Sequence, residues 1–461
     1  MSGPRPGPAR RHARRRSRFA ARIMIIGAAL TLLSGCAGWG FSGSGGGKTV
    51  TLTYALWDPH EQVGYQQSIN EFEKLHPDIK VDIENIPYGS YQQKMTAEFI
   101  TGGAPDLFWV NTPWLGSFIK NGMLTNLTPL IQRDHVDMSQ YYPQLVAMHS
   151  VGSKIYGLPK DWDTIALYYN KAYFAKLHLR IPDKLSWNAD GTGSFVTFLK
   201  AVTTDTSGHN ALSPQFNPGK IKTYALGVNN DLQGGWGNYI AMLGGKVIPH
   251  PYAPVASLTT PQVSQGMSFL TSTLTNAHVI VPGTLSGPNA NGNNLLQMFS
   301  QGQVAMWEQG DWNTVTVKSS VTFPVGVTTL PIGPQGRVSV FNGLIDGLNS
   351  HTRYPKQAWE LEKWLGSARS QAILGSGGYV WPAIRSLDPL FLNYWKKNGI
   401  DMSAFLTEAH GKVVNFPVSP GIGDALTEIG NDLGPAWLGT EPVSTALNTA
   451  QTDANYILRT S

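Results

Sequence analysis

Fourteen tryptophans occur in the 461 residues. Several stand beside acids or amides: Trp57-Asp58, Trp307-Glu308 and Asp311-Trp312-Asn313. Such neighbours suit a particular chemistry. A pyranose has a face of weakly positive C–H bonds, which an aromatic ring covers with its negative π-face. Its rim carries hydroxyls, from which carboxylates accept and with which amides both accept and donate. Indoles interleaved with Asp, Glu and Asn therefore read as a carbohydrate-binding set. A secreted glycoside hydrolase would draw on the same residue types, with two carboxyls about 5 Å apart or set wider. Glu308 and Asp311 are the pair that could fill that role, although no local signature marks a catalytic pair. There is no Gly-x-Ser-x-Gly elbow and no His-Glu-x-x-His run, and the histidines are scattered, so neither a metal site nor a cofactor is expected.

The formal charge of +5 would suggest a nucleic-acid or membrane partner if it were spread over the fold. It is not. Residues 1–35 hold eight arginines, no lysine and no acid, and without them 27 basic residues face 30 acidic ones, a net −3. Nucleic-acid binding is rejected on that ground.

The same N-terminal stretch reads as an address. An arginine-rich segment precedes the apolar run Ile23–Leu33, which is shorter than the roughly 20 residues a bilayer span needs but suits a signal-peptide core. Leu33-Ser34-Gly35-Cys36 follows and resembles the bacterial lipobox, in which the cysteine sulfur is lipidated and the chain is cut before it. An ordinary secretory signal with a chance cysteine is the alternative. Cys36 is the single cysteine, which excludes an internal disulfide. Residues 36–48 form a Gly/Ser tether. Within it SGSGGGKT approaches a phosphate-binding loop but lacks the first glycine and any preceding strand.

From Thr49 onward the pattern alternates. Thr49–Leu56, Ile79–Ile86 and Asp106–Val110 read as strands; Gln62–Leu75, with Val63, Ile69, Phe72 and Leu75 apolar, and Tyr91–Ile100, ended by Gly102-Gly103, read as helices. That order predicts an α/β fold with a largely parallel sheet and helices on both faces, and ligands bind such sheets where strands end. Trp57-Asp58 follows the first strand, Asn111 and Trp114 follow the third, and Asp161, Trp162 and Asp163 precede a strand at 165–169. Loop-rich stretches at 186–193, 204–219 and 281–294 read as surface insertions. Trp109 inside a strand, and Trp359 and Trp364 in a helical stretch, read as core.

Five segments in order carry a resemblance: FEKLHPDI at 72–79, GGAPDLFWVN at 102–111, GLPKDWDTIALYYNK at 157–171, FSQGQVAM at 299–306 with Gly310-Asp311-Trp312, and LPIGPQGR at 330–337 with Phe341-Asn342-Gly343. Together they resemble extracellular solute-binding protein family 1, the maltose and multiple-sugar binders of ABC importers, over nearly all of residues 49–450. The resemblance implies a periplasmic-binding-protein-like fold of type II: two lobes, each of discontinuous segments, with a ligand cleft between them. It places 49–161 and 346–398 in lobe 1 and 162–345 and 399–461 in lobe 2, with crossings near Asp161, Asn342–Asp346 and Lys397. It implies a monomer that captures a carbohydrate by closing, is held to the membrane by its lipid, and delivers to permease subunits. By resemblance Trp57, Asp58, Asn111, Asp163, Trp312 and Asn342 contact the ligand. Trp236 offers a second platform, Glu308, Tyr379 and Trp381 are further candidates, and Trp437 lines the far end of the cleft. Asp58 and Asp163 also fit as helix caps or hinge hydrogen-bonders, and Asn342 as a turn residue.

Overall fold

The computed structural model describes residues 49–286 and 292–461. The arginine-rich leader, Cys36 and most of the tether lie outside these residues, as does part of the 281–294 loop. No described helix is long and apolar enough to cross a membrane.

The chain begins β1 (Val50–Leu56), α1 (Pro59–Leu75), β2 (Ile79–Asn85), α2 (Tyr88–Thr101), β3 (Leu107–Asn111), α3 (Thr112–Lys120). β1 lies between β2 and β3 and is parallel to both. α1 starts where Asp58 accepts from the backbone N–H groups of His60 and Glu61, at 2.7 and 3.0 Å, with Pro59 in the first turn. Its buried stripe is Tyr65, Ile69 and Phe72, whereas Val63 and Leu75 are about half exposed. Two of the four apolar positions expected to face inward thus face solvent, and Tyr65 takes their place. α2 ends at Gly102, whose φ of 76° a side-chain-bearing residue rarely adopts. The parallel expectation holds for these three strands. The fourth strand of the sheet, Leu344–Leu348, arrives from far along the chain and pairs antiparallel with β3.

A second sheet has the order Val325–Thr328, Ile165–Asn170, Val304–Gly310, Ile221–Gly227, Thr204–Asp205. Only the pairing of Ile221–Gly227 with Val304–Gly310 is parallel. This sheet is covered on both faces. Ile165 and Leu167 pack into one apolar cluster, Ala166 and Tyr168 into the other. Alternate side chains of a strand point to opposite faces, so burial on both sides produces the unbroken apolar run IALYY. The 204–219 stretch, expected to be wholly surface, contributes the buried edge pair Thr204–Asp205.

The two sheets meet where three segments run side by side. Asp163 and Asn342 exchange backbone hydrogen bonds, Lys160 donates to the Leu344 carbonyl at 3.0 Å, and Trp162 donates to the Trp381 carbonyl at 3.3 Å. Gly343 is required here, because a Cβ would press on the Asp161 carbonyl oxygen and the Leu145 side chain. Later the helix Asp388–Lys397 packs on Ala368–Ser376, and the next, Ser403–His410, packs on the Ile165–Asn170 strand.

Candidate functional site

A cleft of about 370 Å³ opens where the sheets meet, and its walls come from far-apart segments. From the first sheet and its helices come Trp57, Asp58, Glu61, Tyr88 and Asn111. The crossing segments give Asp161, Trp162, Asp163, Asn342 and Leu344. The second half gives Gln233, Asp311, Trp312, Thr314 and Val315, and the stretch after the Ala368–Ser376 helix gives Tyr379, Trp381, Phe391 and Trp395. A larger cavity, about 490 Å³, is lined by residues such as Met148, Ile248, Tyr252 and Val418, with no acid and no tryptophan among the described residues that line it.

The aromatic walls are fixed by their own neighbours. Trp57 meets Tyr88, Tyr91, Trp109 and Trp114 edge-on, with ring centroids 4.8 to 5.4 Å apart. Trp381 packs on Trp162 at 4.3 Å and on Phe391 at 4.7 Å. Asp388 anchors that group: its carboxylate accepts from Trp381 Nε1 at 2.8 Å, from Trp162 Nε1 at 3.4 Å and from the Tyr142 hydroxyl at 2.5 Å. Trp312 differs from all of these. It is 44% exposed, more than any other tryptophan among the described residues. Its ring lies so close over Gly310 that a Cβ there would overlap it. One indole edge is therefore seated on backbone while the side chain borders the cleft.

The polar floor is acidic. Lys160 is buried beneath it, contacts Asp161 Oδ2, lies 3.6 Å from Glu61 Oε2 and sits 4.0 Å from the Trp109 ring centroid. Asp161 Oδ1 accepts from the Leu344 N–H at 2.9 Å. Burial pushes the Glu61 carboxyl up to about 8 against the pull of Lys160, and burial likewise holds Asp346 at about 7, where Tyr54 donates to it at 2.6 Å. Burial and then Asp161 raise the Asp163 carboxyl, and burial and then Asp163 raise that of Asp311. Asp163 accepts from Gln233 Nε2. Asn342 Nδ2 donates to Asn111 Oδ1 at 3.3 Å and to Gln233 Oε1 at 3.4 Å, linking the two walls. Asn342 Oδ1, Asp311 Oδ1 and Trp395 Nε1 are buried with no hydrogen-bond partner among the described residues.

Trp57, Asp58, Asn111, Asp163, Trp312, Asn342, Tyr379 and Trp381 all line this one cleft. Asp58 is a helix cap as well, and Asp163 and Asn342 also pair the crossing segments, so the rival structural roles coexist with the lining role. Trp236 and Glu308 lie elsewhere. Trp236 is 1% exposed within the core of the second half. Glu308 sits in the middle of a strand buried throughout, where Asn238 Nδ2 donates to it at 2.9 Å. Because Asp311 lines the cleft and Glu308 is interior, the two do not form a carboxylate pair facing one space. Trp437 is buried in the core cluster at the end of the Ile422–Trp437 helix and does not line the cleft. Trp109, Trp359 and Trp364 are core.

Glu61, Tyr88, Gln233 and Trp395 were not among the sequence candidates, and Asp311 was named only as one half of a hydrolase pair with Glu308 and as the neighbour of Trp312. Glu61 could have been found: it is three residues after the Asp58 cap, in the first helical turn. Phe391 and Trp395 are four apart on one helix face. Gln233 has no local signal, since only the tertiary fold brings its loop to Asn342.

The sequence matches the model of the bacterial extracellular solute-binding protein family over residues 58–372. The galactooligosaccharide-binding protein of Bacillus subtilis is 24% identical over 377 residues, covering 80% of this chain and 82% of that one. The crystal structure of Mycobacterium tuberculosis UspC superposes with a TM-score of 0.74 at 26% identity, covering 88% of this chain and 100% of that one. A Listeria monocytogenes ABC substrate-binding protein, solved in complex with cycloalternan, superposes with a TM-score of 0.75 at 19% identity, covering 89% of this chain and 99% of that one. The fold is the two-lobed type II periplasmic-binding fold, and the chain belongs to the bacterial extracellular solute-binding protein family.

Proposed function

We propose that this chain captures a carbohydrate outside the cytoplasm and delivers it to the permease of an ABC importer. One observation carries the reading: a single cleft joins an exposed indole, Trp312, to buried acid and amide oxygens from both sheets, among them Asp311 Oδ1 and Asn342 Oδ1, which have no hydrogen-bond partner among the described residues. Indole faces cover sugar C–H faces, and such oxygens accept from hydroxyls. The oligosaccharide specificity named for the Bacillus subtilis relative supports the same ligand class.

In this reading residues 49–161 with 346–398 form one lobe and 162–345 with 399–461 the other. The pairing of Leu344–Leu348 with β3 supports a boundary close to Gly343. A ligand that touches both walls favours the closed arrangement, because it gains contacts there that the open one lacks. Cys36 carries the lipid that holds the mature chain, a monomer, to the membrane. No catalytic step is proposed.

Isothermal titration of the purified chain with a panel of mono- and oligosaccharides tests the ligand class. At least one saccharide is expected to bind with a micromolar or tighter Kd, a free energy of about 8 kcal/mol. Failure of every carbohydrate and polyol to bind would overturn it.

A further inference from the structure

The larger cavity, about 490 Å³, borders on the segments that wall the cleft. Val340 lines it two residues before Asn342, and Leu232 lines it beside Gln233. Its chemistry is the inverse of the cleft's. Among the described residues, five carboxylates line the cleft and no lysine, arginine or histidine does. Met148, Ile240, Ile248, Val340 and Val418 line the cavity, and no acid does. Lys246 brings a positive charge to it, and that ammonium is in no ion pair or side-chain hydrogen bond among the described residues. The lack of acid reaches beyond the lining. Residues 138–160, 232–307 and 409–423, which supply every lining residue except Val340, hold no Asp or Glu.

The cavity is also held in shape. Pro249 and Pro251 fix φ on either side of His250. Tyr252 ends this wall at a φ of 62°, which a residue with a side chain rarely adopts. Its N–H donates to the Val418 carbonyl at 2.7 Å and ties the wall to the 413–418 segment. Apolar walls that cannot collapse on one another favour an apolar occupant. A saccharide would leave its hydroxyls without partners there. An aliphatic chain suits the Met, Ile and Val side chains, and a carboxylate at its end suits the free ammonium.

We propose that this cavity binds a medium-chain fatty acid of about eight to twelve carbons, its chain among Met148, Ile240, Ile248 and Val340 and its carboxylate at Lys246. The acid and the ligand of the cleft occupy separate spaces, so either reading can fail without the other.

The test is titration calorimetry at pH 7.5 on chain stripped of lipid, with every probe below its micelle concentration. Octanoate, decanoate and dodecanoate are compared with decanol and with decyltrimethylammonium. Decanoate is expected to bind with a micromolar Kd, and each two-carbon step should tighten binding about tenfold until the cavity is full. Decanol and the ammonium should bind at least about fivefold more weakly than decanoate. Lys246→Glu, at an exposed side chain, should abolish the preference for acid over alcohol. Val414→Trp, at a half-buried lining position, should weaken every chain by filling the space. The acid-to-alcohol ratio is taken within each protein, so partial loss of folded chain does not imitate the effect. Failure of all three acids to bind would overturn the proposal, as would equal or tighter binding of decanol or of the ammonium. Acid binding unchanged in both variants would overturn the assignment to this cavity.

Discussion

Asp163 and Asn342, from two distant stretches of the chain, exchange backbone hydrogen bonds of 2.9 and 3.1 Å while both side chains line the cleft. The seam that joins the two sheets is thus also the floor of the site. A change in how the sheets sit is felt at the ligand, and a ligand contact is felt at the seam.

The Asn342 side chain adds a link of its own, from Asn111 on one wall to Gln233 on the other. Asn342→Ala leaves the backbone exchange possible but removes both amide contacts and the free Oδ1. A loss of roughly tenfold in saccharide affinity, about 1.4 kcal/mol, is expected by calorimetry. An unchanged Kd would separate Asn342 from the ligand.

Trp312 and Trp236 should behave oppositely. Trp312→Ala removes a half-exposed indole from the cleft, so affinity should fall about ten- to a hundredfold with little change in the melting temperature. Trp236→Ala leaves a cavity in the core of the second half and should cost about 3–5 kcal/mol of stability. Denaturant unfolding beside calorimetry distinguishes the two. The reverse pattern would mean that the burial assigned to each indole is wrong.

Gly310 supports Trp312. Gly310→Ala places a methyl group where the ring now lies, so the indole must turn. The variant should lose affinity nearly as severely as Trp312→Ala, and the double variant should be little worse than either single one. Additive losses would show that Gly310 does not act through Trp312.

The buried acids give a pH dependence with a definite sign. Glu61 is held at about 8, against an ordinary value of 4.5, chiefly by burial. The folded chain therefore binds this proton more tightly than the unfolded one. Its contribution to stability is complete below about 4.5 and is lost as the pH rises to about 8. Asp346, at about 7, acts in the same direction. Buried His149, lowered to about 4, acts oppositely between its folded value and 6.5. Glu61→Gln should flatten the fall in melting temperature between pH 5 and 8.5. Parallel profiles for the variant and the parent would remove Glu61 from the account.

Much of the site was legible because acids and amides stood beside tryptophans just after strand ends, as at Trp57-Asp58 and Asn111. Glu308 looked the same beside Trp307. Its strand, however, is buried on both faces, so no alternation in sequence tells which neighbour faces the ligand. In Gly310-Asp311-Trp312 the acid next to the indole proved to line the cleft, whereas Glu308 is interior. The first two strands were visible from period-two alternation and the third as a short buried apolar run, whereas the antiparallel fourth depends on a long-range return that no local pattern encodes. Tyr88 and Gln233 reach the cleft by tertiary placement alone.

A crystal structure of the chain with the saccharide that binds most tightly in calorimetry tests the central claim most directly. The account predicts a sugar ring against the Trp312 indole, with polar contacts to Asp163, Asp311 and Asn342 and protein from both sheets around it. A saccharide bound instead in the apolar cavity beside Met148 and Tyr252, with the Trp312 cleft left unchanged, would contradict it.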